Sequence, residues 1–152
     1  MQLIGELQVK VFIADLESFS FMEKYQYVYY RIYKWNLRTW GKSDVPEFNA
    51  VLGMSAAVFF NIFTIIILYN FVSGKYISLD WIEPSFVLIF AFSLVSLNYL
   101  MFMYKKRYEL LEEKFGNELK AKKRRNGWIV VIYIVGSPTL PFLLMFLDMS
   151  LR

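Results

Sequence analysis

The sequence predicts an all-α integral membrane protein with three transmembrane helices, an amphipathic N-terminal helix and a basic cytoplasmic helical hairpin. The first observation is three runs without a charged residue, at 48–74, 84–104 and 126–147. Each is longer than the roughly 18 apolar residues that indicate a membrane-crossing helix. In a chain of 152 residues, too little other sequence remains to bury all three runs inside a soluble core. We therefore predict a single membrane domain over 1–152, with spans at 50–72, 84–104 and 127–147.

The second observation is the charge of the segments between the spans. Residues 105–126 contain nine Lys or Arg and four Glu, which gives a net charge of +5. Residues 73–84 contain one Lys, one Asp and one Glu, a net charge of −1. Short loops rich in Lys and Arg stay in the cytoplasm. We predict that the N-terminus lies in the cytoplasm and the C-terminus outside.

The basic side chains also indicate what the chain touches. Juxtamembrane clusters of Lys and Arg attract anionic lipid headgroups. We expect contact with the lipid bilayer and its anionic headgroups, association in the membrane as a homo-oligomer or with a protein partner, and no role with nucleic acid. The residues assigned to this contact are Arg31, Lys34, Arg38, Lys42, Lys105, Lys106, Arg107, Lys122, Lys123, Arg124 and Arg125.

The segment 105–126 has a helical pattern of its own. Apolar residues recur at spacings of three and four, which predicts one apolar stripe on a helix; they are Tyr104, Tyr108, Leu111, Phe115 and Leu119. Gly116-Asn117 predicts a break between two short helices. We expect the second span to continue as a helix into this hairpin. The stripe either packs against the chain's own N-terminal segment or binds a partner protein.

The N-terminal fifty residues divide into two parts. Residues 22–44 place Arg31, Lys34, Arg38 and Lys42 on one helical face of a segment dense in aromatic residues. A basic stripe on an aromatic body is typical of an interfacial helix, whose rings meet the acyl boundary. Residues 1–21 lack the features of a signal peptide. They are a possible N-terminal extension, with Met22 as an alternative start.

The chain offers little for catalysis. It has no Cys and no His, and the spans contain no Asp, Glu, Lys or Arg. We therefore expect no enzymatic activity, no cofactor and no metal. The polar residues Asn61, Asn98 and Ser137 are predicted either to join helices by hydrogen bonds or to face a lumen. A helix kink is expected at Gly136, Pro138 and Pro141.

Four strings together resemble a family of small, uncharacterised three-span bacterial inner-membrane proteins. They are YYRIYKW (29–35), VPEFNAV (45–51), NYLMFMYKKRYELLEEKF (98–115) and KKRRNGWIVVIYI (122–134). The resemblance covers about residues 22–147 and leaves out 1–21. It implies a multi-pass protein of the bacterial inner membrane with the three-span architecture, and no particular activity.

Two functions are compatible with these observations. The first is a non-enzymatic subunit or interaction partner in a membrane complex. The alternative is a homo-oligomeric pore or channel, such as a membrane-disrupting effector of antiphage defence. Because a three-helix bundle encloses no useful lumen, the second function requires an oligomer.

Overall fold

The computed structural model describes residues 21–74 and 83–151. Five α-helices make up most of this part of the chain: α1 Phe21–Trp40, α2 Pro46–Ser73, α3 Pro84–Phe102, α4 Arg107–Phe115 and α5 Lys120–Leu151. Single turns of 3-10 helix lie at Lys42–Asp44 and Tyr104–Lys106. The expectations for residues 1–20 and for most of the 73–84 loop fall outside the described residues.

Three of these helices are long and apolar enough to cross a membrane, as predicted: α2, α3 and the part of α5 from Ala121 to Leu147. The first span begins earlier than expected because Pro46, whose ring favours the first helical turn, starts α2. It ends where Gly74 adopts a left-handed backbone with φ +63°. The third span differs more from its predicted bounds of 127–147. The helix α5 already begins at Lys120, so it includes the second half of the basic segment.

The prediction that the second span continues into the hairpin is wrong. The helix α3 ends at Phe102, and Lys105 and Lys106 follow with φ of 54° and 55°. A left-handed backbone costs an ordinary residue about 1–2 kcal/mol. The turn redirects the chain so that α4 can pack against α1, which offsets this cost. The predicted break at Gly116-Asn117 is present, between α4 and α5.

The three spans form an open row. The helix α2 packs against α3 on one side and α5 on the other, whereas α3 and α5 make little contact with each other. Along the 19 residues of α3, only Asn98 and Phe102 are buried, both near its end. The helix α3 is therefore held to the rest of the chain mainly at its C-terminal end.

At that end α1 and α4 cover the spans and form a compact unit, which we call the head. Its core consists of Tyr29, Tyr30, Ile32, Ala50, Val51, Met54, Phe102, Leu111, Phe115 and Val130. The stripe of the hairpin packs on the chain's own N-terminal segment, with Leu111 and Phe115 buried, while Tyr104 and Leu119 at its two ends are exposed.

The environment of α1 corrects one expectation. Tyr29 and Tyr30 do not reach an acyl boundary, because both rings are buried inside the head. Their partners are rings of the same chain: Tyr29 stacks on Phe102, and Tyr30 lies beside Phe115. The exposed aromatic side chains of the helix's last turns are Trp35 and Trp40, which meet edge to face at 5.1 Å.

Candidate functional site

The candidate site is the surface of the head where α1 meets the turn between α4 and α5. Glu118 in this turn accepts a hydrogen bond from the Tyr27 hydroxyl at 2.6 Å. Its other carboxylate oxygen accepts one from the Asn126 amide at 2.9 Å. One carboxylate thus joins α1 to the start of α5. Burial, reinforced by the hydrogen bond to Glu118, raises the pKa of Tyr27.

On the opposite side of α1, stacked rings hold this helix against the end of α3. The rings of Tyr29 and Phe102 are parallel, with centroids 4.0 Å apart, and the ring of Tyr25 also stacks on Phe102, at 5.7 Å. The Tyr29 hydroxyl donates to the Glu47 carbonyl at 3.2 Å. Burial and then the Glu47 charge raise the pKa of Tyr29. This packing ties α1 to the ends of both α2 and α3.

Tyr30 is buried differently. Among the described residues its hydroxyl has no hydrogen-bond partner. Burial, followed by the nearby Glu112 carboxylate, raises its pKa to about 12. The ring therefore contributes packing, and the neutral form of its hydroxyl is strongly favoured.

Two ion pairs connect α1 and α4 at the surface. Lys114 lies 2.7 Å from Glu23, and Lys34 lies 3.0 Å from Glu112. All four side chains are partly exposed, so each pair stabilises the head by at most about 1 kcal/mol. The pairs connect α4 to α1 at two points, one near the start of α1 and one in its second half.

A groove of about 500 Å³ opens between α1, the turn and α5. Its wall is apolar and includes Val28, Phe115, Ile129 and Val130. Among the described residues, its rim carries Lys24, Lys114, Lys122 and Arg125 together with the Glu118 carboxylate, and Lys114 is paired with Glu23. We refer to it as the head groove.

The predicted basic residues do not form one patch. Lys34 forms the ion pair with Glu112. The Arg31 guanidinium lies against Gly127 of α5, and any side chain added at residue 127 would collide with that guanidinium. Lys122 and Arg125 line the head groove, whereas Arg124 lines, together with Arg125, another cavity beside Trp128. The others are spread over outer surfaces of the head: Arg38, Lys42, Lys105, Lys106, Arg107 and Lys123.

The two predicted asparagines join helices, each with its own partners. The Asn98 amide of α3 donates to Ser55 Oγ of α2 at 3.1 Å, and its Oδ1 accepts from Tyr25 of α1 at 2.6 Å. The Asn61 amide of α2 donates to the Tyr133 hydroxyl of α5 at 2.8 Å. The asparagines therefore bond to different residues and not to each other.

A second cavity, of about 630 Å³, lies between α2 and α5 at mid-span. Asn61, Ser137 and Thr139 line it, so the structure brings together two of the three predicted polar residues. Ser137 does not join helices, because its hydroxyl donates to the Tyr133 carbonyl of its own helix at 2.7 Å.

The Gly136–Pro141 segment stays helical. The helix α5 runs without interruption through Pro138 and Pro141. The Thr139 hydroxyl donates to the Val135 carbonyl at 3.0 Å, within the same turn. The helix is therefore not broken at Gly136, Pro138 or Pro141. The kink in its axis stays a prediction.

Sequence reasoning misses several residues that build the site. The aromatic pattern of α1 does not distinguish Tyr25 and Tyr27 from the other rings of the helix. The basic segment does not indicate that Glu118 joins Tyr27 of α1 to Asn126 of α5. One usable signal exists: Tyr25 and Tyr29 are four residues apart and share a helical face, which favours packing against a common neighbour. The partner Phe102 cannot be identified from that spacing.

The fold defines the chain as an all-helical protein with three helices suited to crossing a membrane, within the part of the chain that the structure describes. No protein-family model, curated protein or solved structure matches it.

Proposed function

We propose that this protein is a non-enzymatic subunit of a bacterial inner-membrane complex, and that it associates through the exposed faces of its spans. In this proposal the head lies on the cytoplasmic side, because it carries the basic segment. The resemblance to small three-span inner-membrane proteins supports the same location.

The exposed surface of α1 supports the position of the head at the membrane. Trp35 and Trp40 are exposed, as are Arg38 and Lys42 on the same stretch of chain. Indole rings favour the headgroup layer, and basic side chains favour its phosphates. We infer that the end of α1 rests on the cytoplasmic headgroups, while its middle turns belong to the core of the head.

The observation that carries the proposal is the exposed surface of α3. From Pro84 to Leu97 this helix buries no residue in the chain, and Phe92 is 73% exposed. Lipid chains are as apolar as these side chains, so helices in a membrane associate through close packing and hydrogen bonds. A partner helix would supply to α3 the packing contacts that its own chain does not.

Photo-crosslinking in intact membranes tests the proposal. A photoreactive phenylalanine analogue at Phe92 should give a discrete protein adduct, and the matched probe at the buried Met54 should not. A second copy would add another 18.1 kDa to the 18.1 kDa chain, giving about 36 kDa, whereas a different subunit would give its own increment. Adducts with lipid alone at Phe92, with a monomer mass after mild-detergent purification, would contradict the proposal.

The mid-span cavity supports a second candidate, the homo-oligomeric pore. Copies that place Asn61, Ser137 and Thr139 towards a common axis would line a path with polar groups. Against it, the Asn61 amide and the Ser137 hydroxyl already have partners within the chain. Ion flux from liposomes that falls in Asn61→Leu, with unchanged assembly, would favour the pore over the subunit.

A further inference from the structure

We propose that two copies of this chain pair through the mid-span cavity, so that the Asn61 amide of each copy hydrogen-bonds to the Asn61 amide of the other. Each copy supplies half of these hydrogen bonds, so the site is incomplete in a single chain. The inference rests on the proposed function only for the placement of the spans in a bilayer, and it concerns a surface other than that of α3.

The Asn61 amide has hydrogen-bonding capacity that its own chain does not use. An asparagine side chain carries two N–H donors and an oxygen that accepts. One N–H is donated to the Tyr133 hydroxyl at 2.8 Å. The described residues supply no donor to the oxygen and no acceptor for the second N–H. The side chain is only partly buried, so these groups can be reached from outside the chain.

Asn61 lies deep in its span. Residues 46–60 precede it in α2 and residues 62–73 follow it, so even the nearer end of the helix is about 18 Å away. Water and lipid headgroups are not available at this depth, and acyl chains offer no hydrogen-bonding group. An unused amide oxygen in the middle of a span therefore favours a contact that brings a donor.

The mid-span cavity opens towards the outside of the chain. Ile132, Leu140 and Leu143 of its wall recur on one face of α5, and all three are exposed. Gly136 lies on the same face, where a Cβ would meet no atom of the described residues within 4 Å. A position without a side chain lets a neighbouring helix approach closely. The cavity thus gives a second chain access to Asn61.

The chemistry of the amide favours a second copy as the occupant. An amide offers both a donor and an acceptor, so two identical amides related by a two-fold axis form two reciprocal hydrogen bonds. A lipid chain offers neither group, and a different protein would need its own polar side chain at the same depth. A two-fold contact also closes on itself, which yields a dimer without a lumen. This distinguishes the pair from the homo-oligomeric pore.

Energy transfer between labelled copies in liposomes tests the pair. The label is attached at Glu113→Cys on the head, since the chain itself has no cysteine. We expect transfer that increases linearly with the acceptor fraction, as for a dimer, and that falls as lipid dilutes the protein. Asn61→Leu should weaken pairing about 10- to 30-fold, which corresponds to the loss of two interhelical hydrogen bonds.

Two further variants separate pairing from folding. Gly136→Leu places its Cβ in open space, and leucine favours a helix more than glycine does, so it should obstruct the second copy and weaken pairing at least about tenfold. Tyr133→Phe removes the same bond within the chain as Asn61→Leu but keeps the amide, so pairing should change less than about threefold. Equal losses in Tyr133→Phe and Asn61→Leu would assign the amide to the bond within the chain and overturn the inference.

Ser93→Leu is the matched control. It replaces an exposed polar side chain at the middle of α3, whose hydroxyl donates to the Ile89 carbonyl of its own helix. Pairing should again change less than about threefold. Loss of pairing in Ser93→Leu, with Asn61→Leu unaffected, would place the contact on α3; that result would overturn the inference and leave the proposed function intact. A monomer at every dilution, transfer that indicates more than two copies, or an effect of Asn61→Leu without one of Gly136→Leu would also overturn it.

Discussion

Phe102→Ala is expected to destabilise the protein by about 3–5 kcal/mol, more than any other single substitution proposed for this chain. Phe102 is 1% exposed and stacks with the rings of Tyr25 and Tyr29. Its removal leaves a cavity at the junction of α1 and the end of α3. Because α3 is buried only at this end, few other contacts in the chain can compensate.

Phe92→Ala is the matched control, since it makes the same chemical change on the same helix at a position that is 73% exposed. It should change stability by less than about 1 kcal/mol, as expected for a side chain outside the packed core. Thermal or denaturant unfolding in a mild detergent measures both variants, with circular dichroism confirming the helical content. Equal destabilisation by the two substitutions would show that the head does not hold α3.

Asn98→Leu is expected to have the second-largest effect, about 1–3 kcal/mol. The substitution leaves the hydroxyl of Tyr25 without its acceptor and breaks the bond to Ser55. A buried donor without a partner costs the desolvation of that group. Ser55 is affected less, because its hydroxyl also donates to the Val51 carbonyl at 2.8 Å.

The double variant of Asn98→Leu with Asn61→Leu tests whether the two asparagines share a partner. Asn61→Leu alone should cost about 0.5–2 kcal/mol, because it removes the bond to Tyr133. The two asparagines have separate partners, so the double variant should equal the sum of the singles to within about 0.5 kcal/mol. A double variant clearly more stable than that sum would mean that Asn61 and Asn98 share a partner, contrary to the structure.

Tyr25 and Asn98 form a pair that serves as the positive control. In the cycle of Tyr25→Phe and Asn98→Leu, the double variant removes donor and acceptor together. It should therefore be less destabilised than the sum of the single variants. The same unfolding assay thus has one pair expected to be coupled and one expected to be independent.

The three spans were predictable because their signal is local. A helix in a bilayer needs a continuous apolar run of known length, and 48–74, 84–104 and 126–147 satisfy this without information from elsewhere in the chain. The break at Gly116-Asn117 was predictable for a similar reason, since those residue types favour a turn.

The turn at Lys105 and Lys106 was not predictable. Left-handed backbone usually occurs at Gly or Asn, and YKKR has the composition of a continuing helix. The turn exists because it allows Leu111 and Phe115 to be buried against α1. That benefit comes from tertiary packing, which no local pattern shows.

The candidate site was predictable only in its residue types. Basic residues and buried asparagines could be identified, because charge and polarity in apolar surroundings are visible in the sequence. Their partners could not be identified, since helical spacing gives the face of a residue but not the register between two helices. For this reason Lys122 and Arg125, which line the head groove, could not be distinguished beforehand from Arg124, which does not.

The central claim is that the spans cross the membrane with the basic head in the cytoplasm, and cysteine accessibility tests it most directly. The chain has no cysteine, so single substitutions give one label site against no background. Glu113 on the head and Glu83 before α3 are both exposed. In intact spheroplasts, a membrane-impermeant maleimide should label Glu83→Cys, and it should label Glu113→Cys only after permeabilisation. Labelling of Glu113→Cys in intact spheroplasts, with Glu83→Cys protected, would contradict the account.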